Sequence, residues 1–250
     1  MIMPPMGMPS ITLSDRLIWF AHCPKAGGTS VEKFMVATWG DAVGHLHWGW
    51  DLWWRRGGWR VADPPNSPQH LTWQDARRVL PRFPDAIFAV VRDPVARMAS
   101  EYRWQRQGRR GTWLGRVLAC LPFSLWLRVM LTVAQKNPYA FDNHFRAQSE
   151  FVPDTATVFR LEDGLGPPLG WLNRISGGGG EPGPPPHAIP TRQKLPVAAS
   201  DAALIGQVFA SDYVRFGYDR PSSAAPRPGL DGLAMALAPL VAKLDRRGAL

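Results

Sequence analysis

Short, unbroken apolar runs alternate along this chain with segments of helical period. Leu17, Ile18, Trp19, Phe20 and Ala21 form the first run, too short for a helix and apolar throughout, which predicts a buried strand. Gly27 and Gly28 break it, and Thr29 or Ser30 is placed to cap a helix over residues 31–39. An irregular stretch crowded with Trp covers 40–68. A second helix is predicted over 71–80, with Thr72 as N-cap and Asp75 at its third position. Residues 86–91 make the strongest strand pattern in the chain, and Pro94 suits the first turn of a helix reaching about residue 107.

Residues 113–135 are apolar enough to resemble a membrane span. Arg116, Pro122 and Arg128 interrupt them, so no uncharged run approaches roughly 18 residues. A buried helix pair is the expectation, with no stable membrane insertion. A third strand over 156–161 leads to a helix over 164–175 and then to a mobile Gly- and Pro-rich loop over 176–186. A helix over 200–210, a linker over 221–228 and an amphipathic helix over 230–244 complete the pattern. Strand and helix alternate, which argues for an α/β sheet with parallel strands. The expected division is one domain over 1–220, followed by a linker and C-terminal helix over 221–250.

With 250 residues, 45% hydrophobic and 20% charged, wholesale disorder is excluded. Cys23 and Cys120 are too few for a disulfide framework or a four-cysteine zinc site. The first ten residues lack a charged stretch followed by an apolar core, so a soluble, cytoplasmic protein is expected. The net charge of +9 is concentrated: residues 55–128 hold fourteen Arg, no Lys and five acidic residues, and the remainder is near neutral. Such a field gathers anions, and arginine binds phosphate or sulfate through a bidentate fork. Arg also rises with Gly, Pro and Ala in GC-rich genomes, so charge alone selects no ligand.

The chemistry-bearing segment is His22-Cys23-Pro24-Lys25-Ala26-Gly27-Gly28-Thr29-Ser30, where a strand runs through a glycine turn into a helix. Such a turn aims successive backbone N–H groups at one spot beside the positive end of a helix dipole. Lys25 adds a full charge, and Thr29 and Ser30 add hydroxyls. In the NTPase version Lys follows the last glycine and a hydroxyl completes a Mg²⁺ site. Here Lys25 precedes both glycines, and no metal is expected.

This segment resembles the PKTGGTS loop of sulfotransferases that use 3′-phosphoadenosine-5′-phosphosulfate (PAPS), most closely the carbohydrate group related to heparan sulfate 2-O-sulfotransferase and its bacterial relatives. Ala26 stands where Thr is common, and its backbone N–H is kept. Residues 90–100, with Arg92 at the strand end and Ser100 in the following helix, resemble the family's 3′-phosphate motif. Residues 142–149 and 209–218 extend the likeness, which spans 17–218. The resemblance implies a three-layer, P-loop-like α/β fold with a central parallel sheet flanked by helices. It also implies a PAPS site made of Lys25, Ala26, Gly27, Gly28, Thr29, Ser30, Arg92 and Ser100, with Arg192 closing over the nucleotide.

Spacing supports the second motif separately. Arg92 leaves the sheet where open α/β folds bind ligands. Asp93 and Ser100 are seven apart, roughly 20° from eclipsed on a helix. Arg97 then either faces the same phosphate or is an exposed helix side chain. Asp93 fits a structural role better than that of a Mg²⁺-binding acid.

Sulfuryl transfer to a hydroxyl or amine needs a general base of near-neutral pKa. His70, just ahead of the Thr72 cap, resembles the base of the 2-O group. Lys25 is the expected stabiliser of the departing phosphate. His22 is expected to be packed or hydrogen-bonded beneath the loop. His45 and His47 alternate without a third metal ligand, and His187 sits in a loop facing substrate or cofactor. His144 and Arg146, with Gln148, are candidates for acceptor contact. Trp48 and its neighbours either form a stacking platform for the acceptor or cover a core. The expected partner is a small-molecule or glycan acceptor rather than nucleic acid, and the sequence assigns no oligomeric state. Two other classes stay open at this point: a P-loop kinase, and a non-catalytic basic protein that binds polyanions.

Overall fold

The computed structural model describes residues 9–13, 15–44, 66–80, 82–108, 118, 120–177, 195–225 and 227–246. They fall into two compact units, one within 1–92 and 150–192, the other within 93–149 and 193–250.

The first unit holds the sheet. Strands β1 (Ser10–Leu13), β2 (Arg16–His22), β3 (Ala86–Val91) and β4 (Thr157–Arg160) lie in the order β1-β2-β3-β4. β2, β3 and β4 are parallel, as their apolar runs predict, and β1 pairs antiparallel with β2. β1 escapes the sequence reading although Ser10-Ile11-Thr12-Leu13 alternates polar and apolar, because four residues are the shortest run in which alternation marks a strand. Alternation along β2 puts Ile18 and Phe20 on the face that packs with Val31, Phe34 and Met35 of helix α1 (Gly28–Trp39). Leu169 and Leu172 of α5 (Gly166–Ile175) join the same core. Trp19, of opposite parity, stacks at 5.3 Å on Trp73, the first residue of α2 (Trp73–Val79).

Local rules set the helix starts. Thr72 caps α2 as expected: its hydroxyl oxygen accepts from the Asp75 N–H at 3.2 Å and its O–H donates to the Asp75 carboxylate at 2.8 Å. The expected cap of α1 by Thr29 or Ser30 is corrected. The cap is Gly27, with φ 88° and no side-chain bond, so the helix opens at Gly28. A left-handed glycine turns the chain directly into the helix and leaves both hydroxyls inside the first turn.

The second unit is helical. It contains α3 (Pro94–Gly108), α4 (Phe123–Lys136), α6 (Ala199–Val208), α7 (Ala210–Phe216) and α8 (Pro228–Arg246). Trp126, Val129 and Met130 of α4 pack with Met98 and Tyr102 of α3 and with Ala234, Ala238 and Val241 of α8 in one core. Of the apolar 113–135 segment, residues 123–133 lie on α4 with most of their side chains buried, and among the described residues no helix is long and apolar enough to cross a membrane. Arg128, on the buried side of α4, binds Asp201 at 2.6 Å and Asp231 at 2.9 Å, which pins α8 and α6 to it. The helix expected over 200–210 is α6, Ala199–Val208, and a second short helix, α7, follows it across Phe209.

Candidate functional site

β2 and β3 run parallel with His22 opposite Val90, so the two segments that follow them leave the same edge side by side. After β2 the chain turns at Cys23, whose carbonyl accepts from the Ala26 N–H at 3.3 Å. Lys25 sits at φ 64°, a left-handed conformation uncommon for a side-chain-bearing residue. Two left-handed residues, Lys25 and Gly27, thus bend the loop around the start of α1. First-turn amides have no carbonyl one turn earlier, and the helix dipole adds positive potential there. After β3 comes Arg92, half-buried, whose Nη1 donates to the Lys25 carbonyl at 3.4 Å. The loop and the strand-end arginine expected to share one anion are therefore neighbours.

Beneath the loop lies a buried polar cluster. His22 and Glu32 are 4% and 3% exposed. The His22 Nδ1–H donates to Glu32 Oε1 at 2.8 Å, and the Gln69 amide donates to both Glu32 oxygens at 2.8 Å. Burial raises the Glu32 pKa, but His22, the hydrogen bond from Gln69 and nearby His70 outweigh it, so the carboxyl stays below its usual range. The opposite side of the His22 ring lies against Gly28: a Cβ added there would sit 1.8 Å from His22 Nε2. Gly28 is thus required by contact, Gly27 by its backbone angle. His22 is held under the loop as expected. Sequence reasoning misses Glu32 and Gln69; the signal available is an acid on the α1 face that it shares with Gly28, Val31 and Met35.

His70 lies on a short 3₁₀ turn, Pro68–His70, and is 8% exposed. Asn66 donates to the backbone carbonyls of Ser67 and His70, which fixes the turn. Ser67 Oγ is 3.5 Å from His70 Nδ1, and the ring meets His22 edge-on at 4.9 Å.

In the helical unit, Asp93 Oδ1 accepts from the Ala96 N–H at 2.8 Å, a cap on α3 that agrees with the structural role expected for it. Ser100 is half-buried on α3. Of the two readings of Arg97, that of an exposed helix side chain is corrected. Arg97 is fully buried and donates to the carbonyls of His144 and Arg146 at 3.2 and 2.7 Å. His144 is buried, its Nδ1 2.8 Å from Glu101 Oε2, and it follows three left-handed residues, Phe141, Asp142 and Asn143. Arg146 donates to the Pro138 carbonyl and Asn143 Oδ1 and lies over the Tyr139 ring. Gln148 is fully buried against Asp212. Trp48, His45, His47, His187 and Arg192 lie outside the described residues.

A family model described as the sulfotransferase family matches residues 10–161, which include all four strands, the loop, His70 and Arg92. No curated protein and no solved structure matches the chain.

Proposed function

The chain belongs to the sulfotransferase family and is a transferase, and from that premise we propose that it moves the sulfuryl group of PAPS to a hydroxyl or amine of a carbohydrate or small-metabolite acceptor. The observation that carries the donor assignment is the 3.4 Å contact between Arg92 and the Lys25 carbonyl. It brings the strand-end guanidinium against the loop, which supports the reading that one 3′,5′-bisphosphorylated nucleotide bridges them.

In this reading Lys25, with the amides of Ala26, Gly27 and Gly28 and the groups of Thr29 and Ser30, holds the 5′-phosphosulfate. Arg92 and Ser100 hold the 3′-phosphate, and Arg192 contributes from its loop. The fold is the three-layer, P-loop-like arrangement. PAPS supplies the sulfuryl group: the acceptor oxygen bonds sulfur as the bond from sulfur to the 5′-phosphate oxygen breaks. Lys25 and the loop amides stabilise the charge gathering on that phosphate by electrostatic preorganisation, with no metal. His70 takes the acceptor's proton, while His144, Arg146 and Trp48 orient the acceptor. Lys25 ahead of both glycines argues against a Mg²⁺-dependent kinase loop.

Calorimetry with 3′,5′-ADP and with ATP, on wild type and Arg92→Ala, tests the donor assignment. Preference for 3′,5′-ADP, lost in the variant, supports it. A preference for ATP, or indifference to Arg92, overturns it.

A further inference from the structure

The Glu32 side chain joins the floor of the anion loop to the turn that carries His70. One arm runs from its carboxylate to His22 Nδ1, and the His22 ring rests against Gly28 at the start of α1. The other runs to Gln69, the residue before His70. A carboxylate offers two acceptor oxygens and no donor, which suits the imidazole N–H and the amide N–H₂ converging on it. The pairing also fixes the His22 tautomer, with the proton on Nδ1 and Nε2 turned toward the glycine.

We propose that Glu32 is a positioning residue for sulfuryl transfer, one buried carboxylate that keeps the His70 turn in register with the anion loop. The proposal rests on His70 as proton acceptor and on the loop as donor site. In-line transfer needs the base and the cradle held to a fraction of an ångström, and supporting hydrogen bonds set that tolerance. Glutamine at position 32 keeps the size but has one acceptor oxygen, and its amide then faces a donor. Aspartate is a methylene too short to reach both partners.

The test uses the full-length chain, radiolabelled PAPS with water as acceptor, and calorimetry with 3′,5′-ADP. Glu32→Gln should lower sulfate release at saturating PAPS by about tenfold or more, part of the roughly 10²–10⁴ that a general base supplies, with affinity for 3′,5′-ADP held within about threefold. Glu32→Asp should not restore the rate. Gln69→Leu cuts only the arm to the His70 turn and should slow release in the same direction with binding intact; it carries the test if Glu32→Gln fails to fold. Undiminished release in the folded variants, or rate and 3′,5′-ADP affinity falling together, overturns the proposal. A wild-type chain that neither binds 3′,5′-ADP nor releases sulfate defeats the sulfotransferase mechanism itself, a different outcome.

Discussion

The Arg92 guanidinium and the Lys25 backbone carbonyl are joined by a 3.4 Å hydrogen bond between the segments that follow β3 and β2. Arg92 thereby does two things: it brings a charge to the loop after β2 and braces the left-handed Lys25. Lysine at position 92 keeps the charge but loses the planar fork, which cannot then bond a phosphate and the carbonyl together. Arg92→Lys should weaken 3′,5′-ADP binding by about tenfold, on the order of 1.4 kcal/mol, and Arg92→Ala by more. Calorimetry on the two variants checks the order. Equal affinity in wild type and Arg92→Lys would show that only charge matters.

Gly28 and His22 occupy adjoining space with no room between them. A Cβ at position 28 overlaps the imidazole, so Gly28→Ala must push His22 off Glu32 or shift the start of α1. Overpacking of this kind costs about 1–3 kcal/mol, and binding of 3′,5′-ADP should fall to the extent that the Gly28 amide moves with the start of α1. His22→Ala removes the obstructing ring. The double variant should therefore be more stable than the two single losses added together, and urea unfolding of all four proteins measures that coupling.

Arg97 donates to two main-chain carbonyls from a fully buried position, with the Phe209 ring 4.9 Å from its guanidinium. Arg97→Met fills much of the space but leaves the carbonyls of His144 and Arg146 without that donor. A loss of about 3 kcal/mol in unfolding free energy is expected, because bonds from a charged group contribute roughly 1.5–3 kcal/mol each. Arg97→Lys should recover only part of it, since one ammonium does not reproduce the fork. Denaturant melts with unchanged slope read out both values.

Asp85 sets a pH dependence at the start of β3. Its carboxylate accepts the Leu17 N–H at 2.7 Å and meets Arg82 at 2.7 Å, and these partners, the backbone bond foremost, hold its pKa below the usual value of 3.8. A carboxyl depressed in the folded state stabilises above its unfolded pKa and loses that contribution as pH falls through the folded one. The gap in melting temperature between wild type and Asp85→Ala should be full near neutrality and close below about pH 3.8. A gap that stays constant into acid would remove the ionic role.

What the sequence disclosed was whatever is local. The apolar runs at 17–21 and 86–91 gave strands because burial leaves no alternation to interpret, and Thr72 announced its own cap. The turn after β2 was legible because two adjacent glycines between an apolar run and a helical period declare it over a few residues, and Gly27 makes it in a left-handed conformation. Arg97 was misplaced because a charged helix residue reads as solvated, and only the fold brings the 144 and 146 carbonyls to it. Glu32 stayed hidden for the same reason: its partners are ten and thirty-seven residues away. Pairings across such distances leave no periodic trace.

The Tyr213 hydroxyl is a buried polar group whose removal should cost nothing. Tyr213 is 3% exposed, and among the described residues its hydroxyl has no hydrogen-bond partner. Burial, followed by the negative charges of Asp93 and Asp212, pushes its pKa far above the ordinary tyrosine value, with Arg220 and Arg97 opposing weakly. The phenol is therefore neutral at any working pH and gives the fold only its ring. A buried hydroxyl that finds no partner costs about 1–3 kcal/mol, and its replacement by an apolar group of the same shape is neutral or stabilising. Tyr213→Phe should unfold at the same urea concentration as wild type or a higher one, with an unchanged slope. A drop of about 1 kcal/mol or more would mean that the hydroxyl makes a bond after all, and that Asp93 or Asp212 receives it.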